Sequence, residues 1–170
     1  MKTELLIGSG SNLSKRLTVD ATNTFSNVVT LDYNSDHKPD IVWDLHNLPL
    51  PFADNSFDEI HAYEVLEHVG AQGDYKTFFK QFSEFHRLLK PSGYFCATCP
   101  SRLSPWAWGD PSHTRILQKE NLHFLCQKNY ELEVGKTSMS DFRFIYRADF
   151  EIYWLTEDEN NFRFILKALK

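Results

Sequence analysis

The chain has 170 residues, 42% of them hydrophobic and 15% aromatic, which suits one packed domain and excludes a disordered chain. A net charge of −5 excludes a broad electrostatic attraction to nucleic-acid backbones, and no apolar stretch is long enough to span a bilayer. Three cysteines, Cys96, Cys99 and Cys126, are too sparse and odd a set for a disulfide framework and fit a reducing compartment. With no signal-peptide pattern at the start, the expectation is a cytoplasmic protein forming a single domain over 1–170.

Taken in order, Glu4 to Ile7 is a short apolar run closed by Gly8, which predicts a buried strand. Leu13 to Asp20 reads as a short helix, with Asn12 or Ser14 as its cap. Val28 to Asp32 and Asp40 to Asp44 are apolar runs that each end on a carboxylate, two further strands. Pro49 and Pro51 impose a loop. Phe57 to Tyr63 is a fourth strand. From Asp74 to Leu89, Tyr75, Phe78, Phe79, Phe82, Phe85, Leu88 and Leu89 recur at helical spacing, and Pro91 stops that helix. Gly93 to Cys99 is a fifth strand, which makes Cys96 and Cys99 buried strand cysteines rather than a redox pair. A long loop over 100–117 and a short helix from Lys119 to Lys128 follow. Phe150 to Leu155 and Phe162 to Leu169 form a closing hairpin around a polar turn. Most of the 14 phenylalanines lie in 78–95 and 142–164, where they fill core. Alternating strands and helices predict an α/β fold: a Rossmann-like, doubly wound, mostly parallel sheet with a C-terminal antiparallel hairpin.

In such a sheet a ligand binds beyond the carboxyl ends of the strands, where strand order reverses. Ile7-Gly8-Ser9-Gly10 leaves the first strand there, and glycines let a ligand approach the backbone closely. Asp32 ends the second strand 22 residues beyond Gly10, the place of a carboxylate that accepts hydrogen bonds from ribose hydroxyls. Asp44 ends the third strand, placed to meet an adenine amino group. Tyr33 and Leu45 adjoin these carboxylates. The third glycine of the dinucleotide fingerprint is replaced by Leu13, and no G-K-[ST] occurs, so the pattern points to an adenosine without a pyrophosphate.

On these residues the chain resembles the class I S-adenosylmethionine-dependent methyltransferases. Leu5 to Asn12 resembles their first motif, and Asp32 their ribose-binding acid. Asp44 to Asp58 contains the L-P-F segment, Glu64 to Val69 the E-H signature, and Phe85 to Tyr94 the approach to strand five. The matches are collinear from residue 5 to about residue 100. The resemblance implies S-adenosylmethionine as cofactor and S-adenosylhomocysteine as product, with in-line methyl transfer promoted by alignment and exclusion of water. It implies that Ile7, Gly8, Ser9, Gly10, Asp32, Tyr33, Asp44, Leu45, Tyr63, Glu64 and His68 contact the cofactor. Two positions depart from the family: Leu6 replaces an acid two places before the first glycine, and Asn12 a third glycine. Extra N-terminal helices common in the family are absent, so a lid must come from 100–117, from 135–147 or from a partner subunit.

Several residues address the substrate side. His113, in Asp110 to Arg115, is the candidate general base, and Arg115 a candidate clamp for an anionic group. Glu64, Glu67 and His68 at helical i, i+3 and i+4 positions, with His113, make an oxygen and nitrogen set of metal-binding type. Metal-free relatives share the pattern, and the expectation is a site without metal. Trp106 and Trp108 either line the mouth or hold the loop down. His37, His46, His61, His86 and His123 read as surface or packing residues. The acceptor expected is a small molecule or sugar-like group, with no nucleic-acid or membrane partner, in a monomer or homodimer. The competing reading is a non-catalytic relative that keeps the fold and binds the cofactor or a protein partner.

Overall fold

A computed structural model describes residues 2–170; Met1 lies outside them. Seven strands form one sheet: β1 (Glu4–Ile7), β2 (Val28–Asp32), β3 (Ile41–Val42), β4 (Phe57–Tyr63), β5 (Leu89–Pro100), β6 (Phe150–Glu157) and β7 (Asn161–Ala168), in the order β3-β2-β1-β4-β5-β7-β6. The first five are parallel, and β7 runs antiparallel between β5 and β6. The order reverses between β1 and β4, so the chain leaves β1 and β4 in opposite directions and opens a crevice at their carboxyl ends.

The pleat sorts β1 between two cores. Leu5 and Ile7 point into the main core; Leu6 joins a smaller cluster with Leu17, Tyr63, Cys96 and Ile165 on the other face. The long helix α1 (Tyr75–Leu88) covers the main face. Asp74 caps it by accepting from the Thr77 amide at 3.1 Å, and Phe79, Phe82, Phe85 and Leu88 are buried beneath it. Phe85 stacks on Phe95 of β5, ring centroids 4.6 Å apart and 17° from parallel. Phe82 meets Phe150 of β6 edge-on. Short helices α2 (Trp106–Gly109), α3 (Lys119–His123) and α4 (Gln127–Glu133) follow, and 3-10 turns form over Ser35–His37 and Leu66–His68. Among the described residues no helix is long and apolar enough to cross a membrane.

Four elements differ from their sequence reading. No helix forms between Leu13 and Asp20. Lys15 and Leu17 are buried while Ser14, Arg16 and Thr18 are exposed, a two-residue alternation that only an extended chain gives. The Tyr63 hydroxyl accepts from the Arg16 and Leu17 amides, replacing helical partners. The third strand shrinks to Ile41–Val42, because the Asp40 carboxylate is bound to the amide and hydroxyl of Thr30. After β4 only a 3-10 turn forms, over Leu66–His68, and Glu64 lies outside it. The helix expected over Lys119 to Lys128 splits into α3 and α4, because the Leu125 carbonyl accepts from the Phe150 amide and the Tyr146 hydroxyl instead of from a helical turn.

Beneath the β1–β4 edge a buried charge cluster ties the segment after the glycine loop to the sheet. The Lys15 ammonium, 1% exposed, lies 2.6 Å from both Glu4 and Glu59. His61 is neutral by virtue of burial, which pushes its pKa down. One ring nitrogen donates to Glu59 at 3.1 Å, and the other accepts from the Tyr63 hydroxyl at 2.7 Å. Glu4 also accepts from the Ser26 amide, so both ends of the β1–β2 connection are held by one carboxylate.

Candidate functional site

At the carboxyl ends of β1, β2 and β4 lies a cavity of about 470 Å³, within the range of small-molecule sites. Gly8, Gly10, Leu31, Asp32, Tyr33, Asp44, Leu45, Glu64 and His68 line it, joined by His37, Trp43, His46, Val65, Val69 and Ser112.

The glycine turn requires its glycines for different reasons. Gly8 has φ of 58°, and a Cβ there would come within 2.4 Å of the Val65 side chain. Gly10 has φ of 52°, and nothing lies within 4 Å of the position its Cβ would take. That space belongs to the cavity, so the missing side chain is what lets a ligand reach the backbone. The loop is tied to β2 by the nearly buried Asp32, whose two oxygens accept from the Gly10 and Asn34 amides, each at 2.8 Å. Asp32 also lines the cavity, and a carboxylate oxygen can accept more than one hydrogen bond.

The opposite wall follows β3. The Asp44 carboxylate accepts from the His46 amide at 2.9 Å and its ring at 2.8 Å, which holds its pKa below the usual carboxylate range. The other His46 nitrogen faces the Gly70 amide at 3.4 Å. His46 thus joins the Asp44 loop to the turn after β4. His37 stands 3.3 Å from Asp32. Both histidines line the cavity, contrary to their reading as surface or packing residues.

The third wall is the sharp exit from β4. Glu64 adopts φ of 56°, a left-handed conformation unfavourable for a residue with a Cβ. Its amide donates to the Thr98 carbonyl and its carboxylate accepts from the Thr98 hydroxyl at 2.7 Å, and these bonds to β5 hold the turn. Glu67 is 2% exposed and points inward; burial and the nearby Glu64 carboxylate push its pKa up to about 8. His68 faces the cavity, its Nδ1 near the Ser112 carbonyl at 3.3 Å and hydroxyl at 3.1 Å.

Several residues stand elsewhere than the sequence reading put them. Ile7 is fully buried in the main core, and Ser9 is buried with its hydroxyl unpartnered; neither lines the cavity. Tyr63 points to the opposite face, because β4 alternates and its hydroxyl holds the 16–17 backbone. His113 lies behind Ser112, its side chain 8% exposed, with Nδ1 on the Trp106 carbonyl at 2.9 Å. Arg115 is buried: Nε donates to the Leu66 carbonyl and Nη2 to Gln81, so it braces the turn rather than facing a substrate. Burial pushes its pKa down to about 10. Trp106 and Trp108 are mostly exposed on α2 and are not part of the wall. The 135–147 stretch packs away from the cavity, with Phe142 on Tyr75, Phe79 and Phe124. Of the two intramolecular lid candidates, only the 100–117 loop reaches the cavity, through Ser112. Trp43 and Leu45 flank Asp44 in sequence, whereas His37 and Ser112 carry no sequence signal and are brought in by loop closure.

A family model described as a methyltransferase domain matches residues 5–97, more than half of the chain. The comparison with curated proteins gave no match. Among solved structures, an S-adenosylmethionine-dependent methyltransferase from Archaeoglobus fulgidus superposes with a TM-score of 0.60 at 16% identity, over 98% of this chain and 86% of that one. One from Methanosarcina mazei gives 0.58 at 17% identity, over 99% and 92%. One from Mesorhizobium loti gives 0.56 at 17% identity, over 98% and 90%. At these identities the superpositions establish the fold, and the family match covers the strands that build the cavity. The chain belongs to the class I S-adenosylmethionine-dependent methyltransferase family.

Proposed function

We infer that the protein is an enzyme that binds S-adenosylmethionine in the β1–β2–β4 cavity and transfers its methyl group to a small-molecule or sugar-like acceptor. The observation that carries this reading is the Asp32 carboxylate, which fixes the Gly10 amide and lines the same cavity that Asp44 borders. Asp32 suits the ribose diol and Asp44 the adenine amino group. Glu64, at the opposite end, suits the cationic methionine half. When bound, the cofactor supplies an electrophilic methyl on a sulfonium.

The chain's own contribution is alignment and exclusion of water. The glycine turn sets the depth of the adenosine, and the strained turn at Glu64 sets the line toward the mouth. His113 lies behind Ser112 and His68, so it does not reach an acceptor directly; any influence it has on the acceptor passes through these two. Trp106 and Trp108, exposed within the 100–117 loop and outside the cavity wall, would meet an acceptor only if that loop folds over the mouth. The net charge of −5 disfavours a nucleic-acid acceptor.

Calorimetric titration with S-adenosylhomocysteine tests the cofactor half. We expect saturable binding, weakened roughly tenfold or more in Asp32→Ala. Absence of binding by both S-adenosylhomocysteine and S-adenosylmethionine would sink the reading. Binding without methyl release, across a panel of small hydroxyl, amine and sugar acceptors, would favour the non-catalytic relative.

A further inference from the structure

Two clusters of carboxylate and imidazole offer ligand atoms that lie within 4.8 Å of one another: Glu4, Glu59 and His61, and Glu67, His68 and His113. In the first, the protein supplies its own cation, because the Lys15 ammonium sits 2.6 Å from both carboxylates. In the second, both oxygens of Glu67 are buried and have no hydrogen-bond partner. Buried oxygens without partners are costly unless a proton or a cation meets them.

The two histidines of the second cluster are set for coordination. His113 places Nδ1 on the Trp106 carbonyl at 2.9 Å, and His68 places Nδ1 against the Ser112 carbonyl. A carbonyl only accepts, and the Ser112 hydroxyl beside His68 Nδ1 already donates to Asp110, so each Nδ1 carries the proton and each Nε2 keeps its lone pair. This backbone-carbonyl support is the arrangement that orients a metal-binding imidazole. The rings meet edge-on with centroids 4.7 Å apart. Ser112, which holds one histidine and precedes the other, is itself fixed by the Asp110 carboxylate.

We propose that Glu67, His68 and His113 form a binding site for a divalent first-row transition cation in the wall of the cavity. One carboxylate and two neutral imidazoles favour such an ion over magnesium or calcium, which prefer all-oxygen sets. Three protein ligands leave coordination positions open, and His68 borders the cavity while Glu67 and His113 lie behind it, which puts the site inside the wall. The proposal does not depend on methyl transfer, since it concerns a cation and the chain alone.

The probe is Co²⁺, titrated into chelator-treated, tag-free full-length protein, followed by calorimetry and by visible absorption. The expected result is a single Co²⁺ per chain, a new d–d absorption band, and a thermal midpoint that rises with Co²⁺ concentration. Glu67→Gln and His113→Ala should each weaken Co²⁺ by roughly tenfold or more, while His123→Ala, remote from the site, should not. No saturable Co²⁺ binding by the parent protein, or unchanged affinity in a folded Glu67→Gln or His113→Ala variant, would overturn the proposal. The rise in thermal midpoint is read on the parent protein and needs no variant to fold. S-adenosylhomocysteine titrated into the same metal-free protein reads the cofactor site separately, so the two assignments can fail independently.

Discussion

Gly8 and Lys15 show how strongly single residues are constrained around the glycine turn. At Gly8 a methyl group would meet Val65 in a left-handed backbone conformation. Gly8→Ala should therefore lower S-adenosylhomocysteine affinity and cost about 1–2 kcal/mol of stability, read from calorimetric titration and urea unfolding. Lys15 neutralises two carboxylates that are each about 1% exposed. As an intact cluster it adds little net stability, because desolvation offsets attraction. Removing the cation leaves the buried Glu4 without its ion pair and Glu59 with Lys2 alone. Lys15→Met should lose about 3–5 kcal/mol in urea unfolding; a loss below 1 kcal/mol would mean that the carboxylates are hydrated or protonated instead. Lys15 could not be picked out by pattern, since a lysine next to an arginine reads as solvent-facing.

Among the elements, α1 was legible in full because its apolar residues recur along one face and Asp74 precedes it. The helix runs from Tyr75 to Leu88 against an expected Asp74 to Leu89. Asp74→Ala removes the acceptor for the Thr77 amide and should cost about 1 kcal/mol, measured as a fall in the denaturation midpoint at unchanged slope. The segment after β1 failed as a sequence reading for an equally specific reason. Leu13 to Asp20 contains adequate helix formers, but the sheet face beneath it offers a salt-bridge partner for Lys15, an apolar slot for Leu17 and a hydroxyl for two amides. Tertiary partners spaced for an extended chain outweigh a weak helical preference. Glu64 was misplaced in the same way: its bonds to Thr98 hold a left-handed turn where a helix start was expected.

For the molecule as a whole, the second sheet face carries two titratable groups that contribute to acid stability. His61 has its pKa lowered by burial, so between its native value and the ordinary 6.5 the unfolded chain binds more protons than the native one. Stability should therefore fall as pH drops through about 6.5. Glu59 is held well below its ordinary 4.5: burial opposes this, but its hydrogen bonds to His61, Lys15 and Lys2 prevail, and a second loss follows as pH falls through 4.5. Urea unfolding against pH checks both steps. His61→Asn should shrink the upper step, and an unchanged upper step would assign it to other histidines such as His86, whose pKa burial also lowers.

The parallel strands, the closing hairpin, the long helix, the glycine turn and Asp32 at the end of the second strand were determined by the sequence, because each depends on local periodicity or on residues adjacent to a strand end. Tertiary structure alone decided which way each side chain near the cavity points. The pleat of β4 turned Tyr63 away, while loop closure brought in His37, His46 and Ser112. It also decided that Glu67, His68 and His113 converge although 45 residues separate the last two in the chain. Periodicity reports a residue's face relative to its own element; convergence of residues on separate loops depends on how the sheet and the turns between its strands close, which no local pattern encodes.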